Sequence, residues 1–510
     1  MDAYHGLTAY FGDLHNHCGI SYGHGSLDDA MLNARQRLDF VSVTGHAFWP
    51  DMPAPTADNR HVVDFHRRGF ERLQGQWDRV QEITRAHHQD GTFVTYLGFE
   101  MHSFEYGDYT VVYPGDAGEI LYCDGLPALR DRLRGLAAQG TRVLAFPHHI
   151  AYKRGTRGIN WDAFTEEFSP VVEIFSMHGC GEADENTRPF LHTMGPSDHD
   201  STMQHGLDLG HVFGVLGSTD HHSAHPGSYG HGMTGVWATA RTRAAIWDAI
   251  HARRTFALTG DRMALRATLN GQPMGSRVAA PGARRLEIDL VAGGAIDCVD
   301  VVRDNRLVRR FSQYEIPAAP EQETLRTKLF LELGWGPRNK RFDWEVTFGV
   351  SQGRILAVEP RFRGEEVVSP LESGSEQANS FFRSNCRQLD ERRVRVETVT
   401  FGNPNNTTPA TQGVCLEVEM PVDAAVLAVI NGEEVEVPVA RLLRGAFSGR
   451  TGAFVSPAYR FHRAPRPEEY TWSVAYDEPD PGDGGRTYYV RVRQKNDQWA
   501  WSSPFFVAPD

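Results

Sequence analysis

Along the first half of the chain, short runs of β-branched and aromatic residues alternate with stretches of helical periodicity. Runs at 8–14, 40–44, 93–99, 142–146, 171–176, 212–217 and 234–239 read as strands. A serine N-cap signal, Ser26-Leu27-Asp28-Asp29, precedes Ala30, Met31, Ala34 and Leu38 and predicts a capped amphipathic helix. Further helices are predicted over 63–89, 126–139 and 242–253. Strands alternating with helices point to repeated βα units, so the expectation for residues 1–265 is α/β: a barrel one unit short of eight.

Past about residue 265 the pattern changes. Short alternating runs at 286–291, 298–303, 415–420, 425–429 and 487–492, separated by Gly, Pro and Asn, predict an all-β sandwich region over 266–510. Turn clusters such as Gly402-Asn-Pro-Asn-Asn406 suggest a large inserted β lobe at about 315–470. Trp499 and Trp501 could face a carbohydrate, but core packing is the better expectation for aromatics in a sandwich.

Charge narrows the partners. With 52 Lys and Arg against 65 Asp and Glu, the net charge of -13 would repel a phosphate backbone, which excludes general nucleic-acid binding and leaves room for a local anion pocket. No stretch approaches the roughly 18 apolar residues of a spanning helix, and no basic-then-apolar leader opens the chain, so a cytoplasmic protein without membrane contact is expected. The six cysteines are scattered, as reduced thiols would be.

Histidine carries the chemical signal. Of 23 histidines, 22 lie at or before His251 and only His462 lies beyond it. Because imidazole is the commonest transition-metal ligand, that bias places a site in the first half. His61, His66, His87, His88, His205 and His251 stand outside strand ends and read as solvated surface. The others follow strands: His15 and His17 after the first, His46 after the second, Glu100 after the third, His148 and His149 after the fourth, Asp220 and His222 after the sixth. His178 follows the fifth strand, and His24 lies in the loop after the first. Alternate residues of an extended chain share a face, so His15 and His17 can address one cation, and Asp220 with His222 repeats that spacing. Nine or ten convergent N and O ligands exceed the need of one ion, which predicts two or three divalent transition-metal ions, with Glu100 suited to bridge two of them. No GxSxG elbow, Walker A loop or GxGxxG offers a competing mechanism.

Gly12-Asp-Leu-His-Asn-His17, Val43-Thr-Gly-His46, Gly98-Phe-Glu100, Phe146-Pro-His-His149, Val172-Glu-Ile174 and Gly217-Ser-Thr-Asp-His-His222 follow one another in an order that resembles the polymerase and histidinol phosphatase (PHP) superfamily. The C-terminal part resembles a bacterial branch with appended β-sandwich modules. This resemblance implies a distorted seven-stranded (β/α) barrel, a trinuclear centre of Mn, Fe or Zn, and hydrolysis of a phosphoester. It implies that His15, His17, Glu100 and Asp220 hold one ion. Glu100, His148 or His149, and His178 or His102 hold the second, and His24, His46 and His222 the third. Glu100, Asp220 and His222 would then be the catalytic residues. The chain departs from the family at Gly45, where an aspartate usually orients a ligand, and in the longer interval between Glu100 and His148. Lys153, Arg154, Arg157, Arg188 and His102 are the candidates for holding a small anionic substrate. The alternatives are a metal-dependent hydrolase or lyase acting on a sulfate ester, another ester or a carbohydrate, and a non-catalytic sugar- or partner-binding protein.

Overall fold

The structure, a computed structural model, describes residues 3–279, 282–317, 323–365, 382–479, 481 and 485–508. Strand β1 (Thr8–Asp13) leads into helix α1 (Leu27–Arg37), then β2 (Phe40–Phe48), α2 (Arg60–His87) and β3 (Val94–Met101). The Ser26 hydroxyl accepts from the Asp29 amide, and Asp28 and Asp29 in the first turn with Arg35 and Arg37 in the last complement the helix dipole. β1 to β2 to β3 are parallel neighbours, and every residue of β2 and β3 is buried, as expected of central strands covered on both faces.

Beyond β3 the βα repeat breaks down. β4 (Tyr109–Val112), which no sequence pattern predicted, pairs antiparallel with β3, and β5 (Leu144–Pro147) pairs antiparallel with β4. Helix α3 (Leu126–Ala138) connects them. Between β5 and β6 (Val171–Ser176) there is only the short 3-10 turn Trp161–Ala163 in place of a crossover helix. β6 joins a separate three-stranded sheet with β7 (Gly179–Cys180) and β8 (Gly214–Gly217), preceded by the six-residue α4 (Met203–Asp208). β9 (Met233–Ala238) lies antiparallel to β1, and after α5 (Arg243–His251), β10 (Thr255–Leu258) lies antiparallel to β9. The expected seven-stranded (β/α) barrel is therefore not what forms. A parallel barrel needs a helix-length crossover after each strand, and two of the connections lack one while β4 turns the sheet antiparallel. The molecule is a β-rich assembly of several sheets.

The remainder is built mostly of strands. Residues 324–461 form two five-stranded sheets around a cluster that includes Leu331, Trp344, Phe348, Val396, Leu416 and Val418; residues 318–322 and 366–381 of the expected lobe lie outside the described residues. The strands Thr487–Gln494 and Trp499–Ser502 return to the first sheet, where Trp501 stands opposite Ala257 of β10. Trp501 is buried and its Nε1 donates to Glu182 Oε2 at 2.7 Å, so it packs inward. All six cysteines are free thiols. Among the described residues no helix is long and apolar enough to cross a membrane.

Candidate metal centre

Local backbone geometry gathers distant residues at one end of the β1–β2–β3 sheet. Asp13, at the end of β1, is fully buried and accepts from the His15 amide at 3.1 Å, the Thr219 amide at 3.2 Å and the Gly227 amide at 2.9 Å. That carboxylate fastens the loop after β1 to the loop after β8. The Asp220 amide then donates to the His15 carbonyl and the His17 amide to the His221 carbonyl, both at 2.8 Å. Asp220 itself takes φ of 53°, a left-handed conformation that short polar residues tolerate best.

Glu100 is the hub. Its Oε2 lies 3.2 Å from both His15 Nε2 and His17 Nε2 and 3.7 Å from His46 Nε2. Its Oε1 lies 2.9 Å from His102 Nδ1 and 3.3 Å from His148 Nε2. Asp220 takes the opposite side: Oδ1 is 2.9 Å from His17 Nε2 and Oδ2 is 2.8 Å from His178 Nε2. The His222 ring centre lies 4.4 Å from that of His17 with the planes tilted by 38°, and ligand atoms of His17, His46 and His222 lie within 4.8 Å of one another. His149 points its Nε2 to Asp108 Oδ2 at 3.3 Å. His24 lines a different cleft, beside Gly19, Asp29 and Arg72, and its Nε2 has no hydrogen-bond partner.

The imidazoles are oriented from behind. Nδ1 of His15 is held by Glu173 Oε2 at 2.8 Å, of His46 by the Ser21 hydroxyl at 2.9 Å, of His148 by the Thr110 hydroxyl at 2.9 Å and of His178 by the Tyr152 hydroxyl at 2.7 Å. His222 Nδ1 bonds the Asp220 carbonyl at 2.8 Å. In each ring this leaves Nε2 turned toward the cage, as outer partners do for metal-binding histidines. The Ser21 hydroxyl also accepts from the His46 amide at 3.1 Å, which fixes that residue further. Gly45 is closely packed: a Cβ there would come within 2.7 Å of Leu73 on α2.

The donor set suits cations. His15 Nε2 and His17 Nε2 face each other at 3.2 Å, both also 3.2 Å from Glu100 Oε2, and the buried His17 Nδ1, His148 Nε2 and His149 Nδ1 have no hydrogen-bond partner. Converging lone pairs and carboxylate oxygens in a dry site repel one another unless a positive charge lies among them. Burial pushes the Glu100 carboxyl up, but His148, His102 and His46 outweigh it and hold it well below the usual carboxylate range. Asp220 is likewise driven up by burial and brought well below by His15 and His178. Burial first, then neighbouring imidazoles, push His46, His148 and His222 well below the usual histidine range, which keeps them neutral as ligands must be; at His15 and His17 the nearby carboxylates, Asp220 foremost, outweigh burial and raise the imidazoles, so a cation there displaces a proton. The residues present fit divalent cations with N and O ligands.

Sequence reasoning missed several partners. Glu173 and Asp108 are lone carboxylates in no spaced pair, although Glu173 lies inside the Val172-Glu-Ile174 string. His66, expected on the surface, is only 9% exposed and lines the cavity over the cage. Its place on the buried stripe Val63, His66, Gly69, Leu73 of α2 was the available signal. His192 also lines that cavity. The basic residues divide. Lys153 and Arg154 are exposed, Arg154 pairing with Asp162 at 2.6 Å, and Arg188 bonds Asp497, all outside the cavity lining. Arg157 does line it: Nε donates to Asp108 Oδ2 at 2.6 Å, and Nη2 lies 2.5 Å from His102 Nδ1. His102 is itself tied by Nε2 to the Tyr22 hydroxyl at 2.8 Å.

Residues 221–271 match the family described as "Protein of unknown function (DUF3604)", a segment that begins at the His221-His222 end of the site. Uncharacterized proteins of Chlamydia trachomatis and Chlamydia muridarum are each 26% identical over 186 residues, 33% of this chain and 30% of theirs. The match thus spans under a third of the length of those curated relatives. A crystal structure of a two-domain protein from Bacteroides vulgatus, described as containing a predicted PHP-like metal-dependent phosphoesterase, is 15% identical and covers 63% of this chain and 82% of that one, with a TM-score of 0.33.

Proposed function

We propose that the chain is a PHP-like metal-dependent hydrolase that cleaves a small anionic ester, a phosphoester first among them. The observation that carries the reading is the orientation of five imidazoles by their Nδ1 partners, which leaves Nε2 of His15, His46, His148, His178 and His222 directed at the Glu100–Asp220 cage. The motif order at His15, His46, Glu100, His148 and Asp220 supports it independently of the overall fold. We assign the ligand roles to His15, His17, His46, Glu100, His148, His178, Asp220 and His222, with His149 and Asp108 at a further position.

Bound Mn, Fe or Zn would lower the pKa of a coordinated water from 15.7 to about 7 and polarise the ester oxygens. The protein's own groups do the rest. Glu100 and Asp220 stay ionised and offset the charge of the ions from the two sides of the cage. Glu173, Ser21, Thr110 and Tyr152 fix the rings so that the donor atoms need no reorganisation on binding. Arg157, held by Asp108, presents the cation nearest the cage to the anionic group of the substrate. Because that guanidinium is already paired, a singly charged sulfate ester is the second reading.

The test is hydrolysis of phosphomonoesters, phosphodiesters and sulfate esters by purified protein, with chelated and Asp220→Ala controls. The proposal expects turnover that both controls abolish and that added Mn restores only to the wild type. Turnover indifferent to both would contradict it.

A further inference from the structure

We infer that the substrate's leaving group is apolar and flat, an aryl or arylalkyl alcohol, and carries no second anionic group. This rests on the hydrolase reading and deepens it.

The cavity over the cage has a volume of about 270 Å³, just below the roughly 300–1,000 Å³ typical of ligand sites. Its lining includes the cage residues His46, Glu100, His178, Asp220 and His222. It also includes five apolar side chains, Trp49, Val62, Phe65, Phe104 and Met194. Those rings are ordered against one another: Trp49 and Phe104 meet edge to face at 4.7 Å, and Trp49 meets His66 at 5.3 Å. Burial pushes the His66 pKa down to about 3, so that ring adds no charge to the wall. Trp49 and Phe104 are half-buried, as is Met194, which leaves them surface to offer to a ligand.

Charge on the wall points the same way. Among the described residues lining the cavity, Arg157 is the only lysine or arginine, and its guanidinium serves Asp108 and lies 5.5 Å from the Trp49 ring centre. Lys153, Arg154 and Arg188, which could have received a distal phosphate or carboxylate, do not line it. A substrate with one anionic end therefore finds its electrostatic partners in Arg157 and in the cations that the cage would hold. Its other end meets Trp49, Val62, Phe65, Phe104 and Met194 beside the Thr193 hydroxyl and the His66 and His192 rings, and against those five side chains an apolar group gains by desolvation.

In the reaction, the water oxygen bonds to phosphorus, the P–O bond to the leaving alcohol breaks, and a proton from that water ends on the alcohol oxygen. Leaving-group acidity must not decide the comparison, so benzyl phosphate and glycerol 1-phosphate, both esters of weakly acidic alkyl alcohols, are the probes for the metal-loaded protein. The expected result is a kcat/KM for benzyl phosphate at least about tenfold above that for glycerol 1-phosphate, the gain from burying most of a ring. Phe104→Ala and Met194→Ala, both on loops, are expected to pull that ratio toward one mainly by raising KM for benzyl phosphate. Equal or inverted kcat/KM values, or a ratio that both variants leave untouched, would overturn the inference while the hydrolase reading stands. Hydrolysis of neither ester, nor of any ester in the wider screen, would remove the hydrolase reading and this inference together.

Discussion

His46 and Glu100 are direct cross-strand partners in the parallel ladder of β2 and β3, with His46 Nε2 3.7 Å from Glu100 Oε2. The register slips immediately beyond them, between His46 and Phe48, so the ladder ends its regular pairing at the cage. Glu100 thereby reaches five imidazoles from one rigid strand. Replacing it by alanine is expected to release bound metal and lower hydrolysis by more than about 100-fold, since removal of even an outer partner costs about 10–100-fold in affinity or activity. Metal content per chain after gel filtration, beside circular dichroism to show the fold is kept, checks this. Wild-type metal content in Glu100→Ala would contradict the hub role.

Glu173 touches the cage only through His15 Nδ1, at 2.8 Å, while its other oxygen accepts from the His149 amide at 3.2 Å. Glu173→Gln keeps the shape and removes the charge behind the ring. The expected effect is about 10–100-fold weaker metal binding with little loss of fold. Calorimetric titration of the metal-stripped variant measures it directly, and an unchanged Kd would show that Glu173 only packs.

Stability should fall in mild acid. Burial pushes His66 and His225 down to about 3, so between pH 6.5 and 3 both are neutral in the folded chain and protonated in the unfolded one. The unfolded state then binds more protons and stability rises with pH across that window, by about 1.4 kcal/mol per pH unit for each such group. His66→Phe should flatten the dependence of the urea midpoint on pH by about one group's share, because Tyr22 and Trp49 already surround the ring. A slope identical to wild type would place His66 outside the titrating set.

Arg361 ties residues 324–461 to the first sheet. It is 1% exposed, its Nη1 lies 3.2 Å from Asp261 Oδ1, and the Tyr229 hydroxyl donates to the same oxygen at 2.7 Å. Asp261→Ala leaves that buried guanidinium with Glu359 as its remaining carboxylate, beside the Gly293 carbonyl, and removing one partner of a buried pair costs about 3–5 kcal/mol. Thermal unfolding of Asp261→Ala checks it; a loss under about 1 kcal/mol would mean that solvent reaches the arginine.

Much of the cage was legible because its ligands come in spaced pairs at strand ends: His15 with His17, and Asp220 with His222. Such spacing survives any sheet topology. The barrel was not legible, because periodicity identifies a strand without giving its direction, and β9 runs antiparallel to β1. β4 escaped notice as four buried residues between two longer runs. Asp108 carries no local signal and Glu173 only its place in the Val172-Glu-Ile174 string: each acquires its role when the chain brings it against imidazoles from other elements. The basic residues near His149 misled for the same reason, since only Arg157 turns inward.

The central claim is that these side chains form a cage for several cations. Elemental analysis of the purified, reloaded protein after exhaustive dialysis tests it most directly. Two or more transition-metal ions per chain, falling below one in His15→Ala and Asp220→Ala, is the predicted result. Less than one ion per wild-type chain under reloading with Mn, Fe and Zn alike would contradict it.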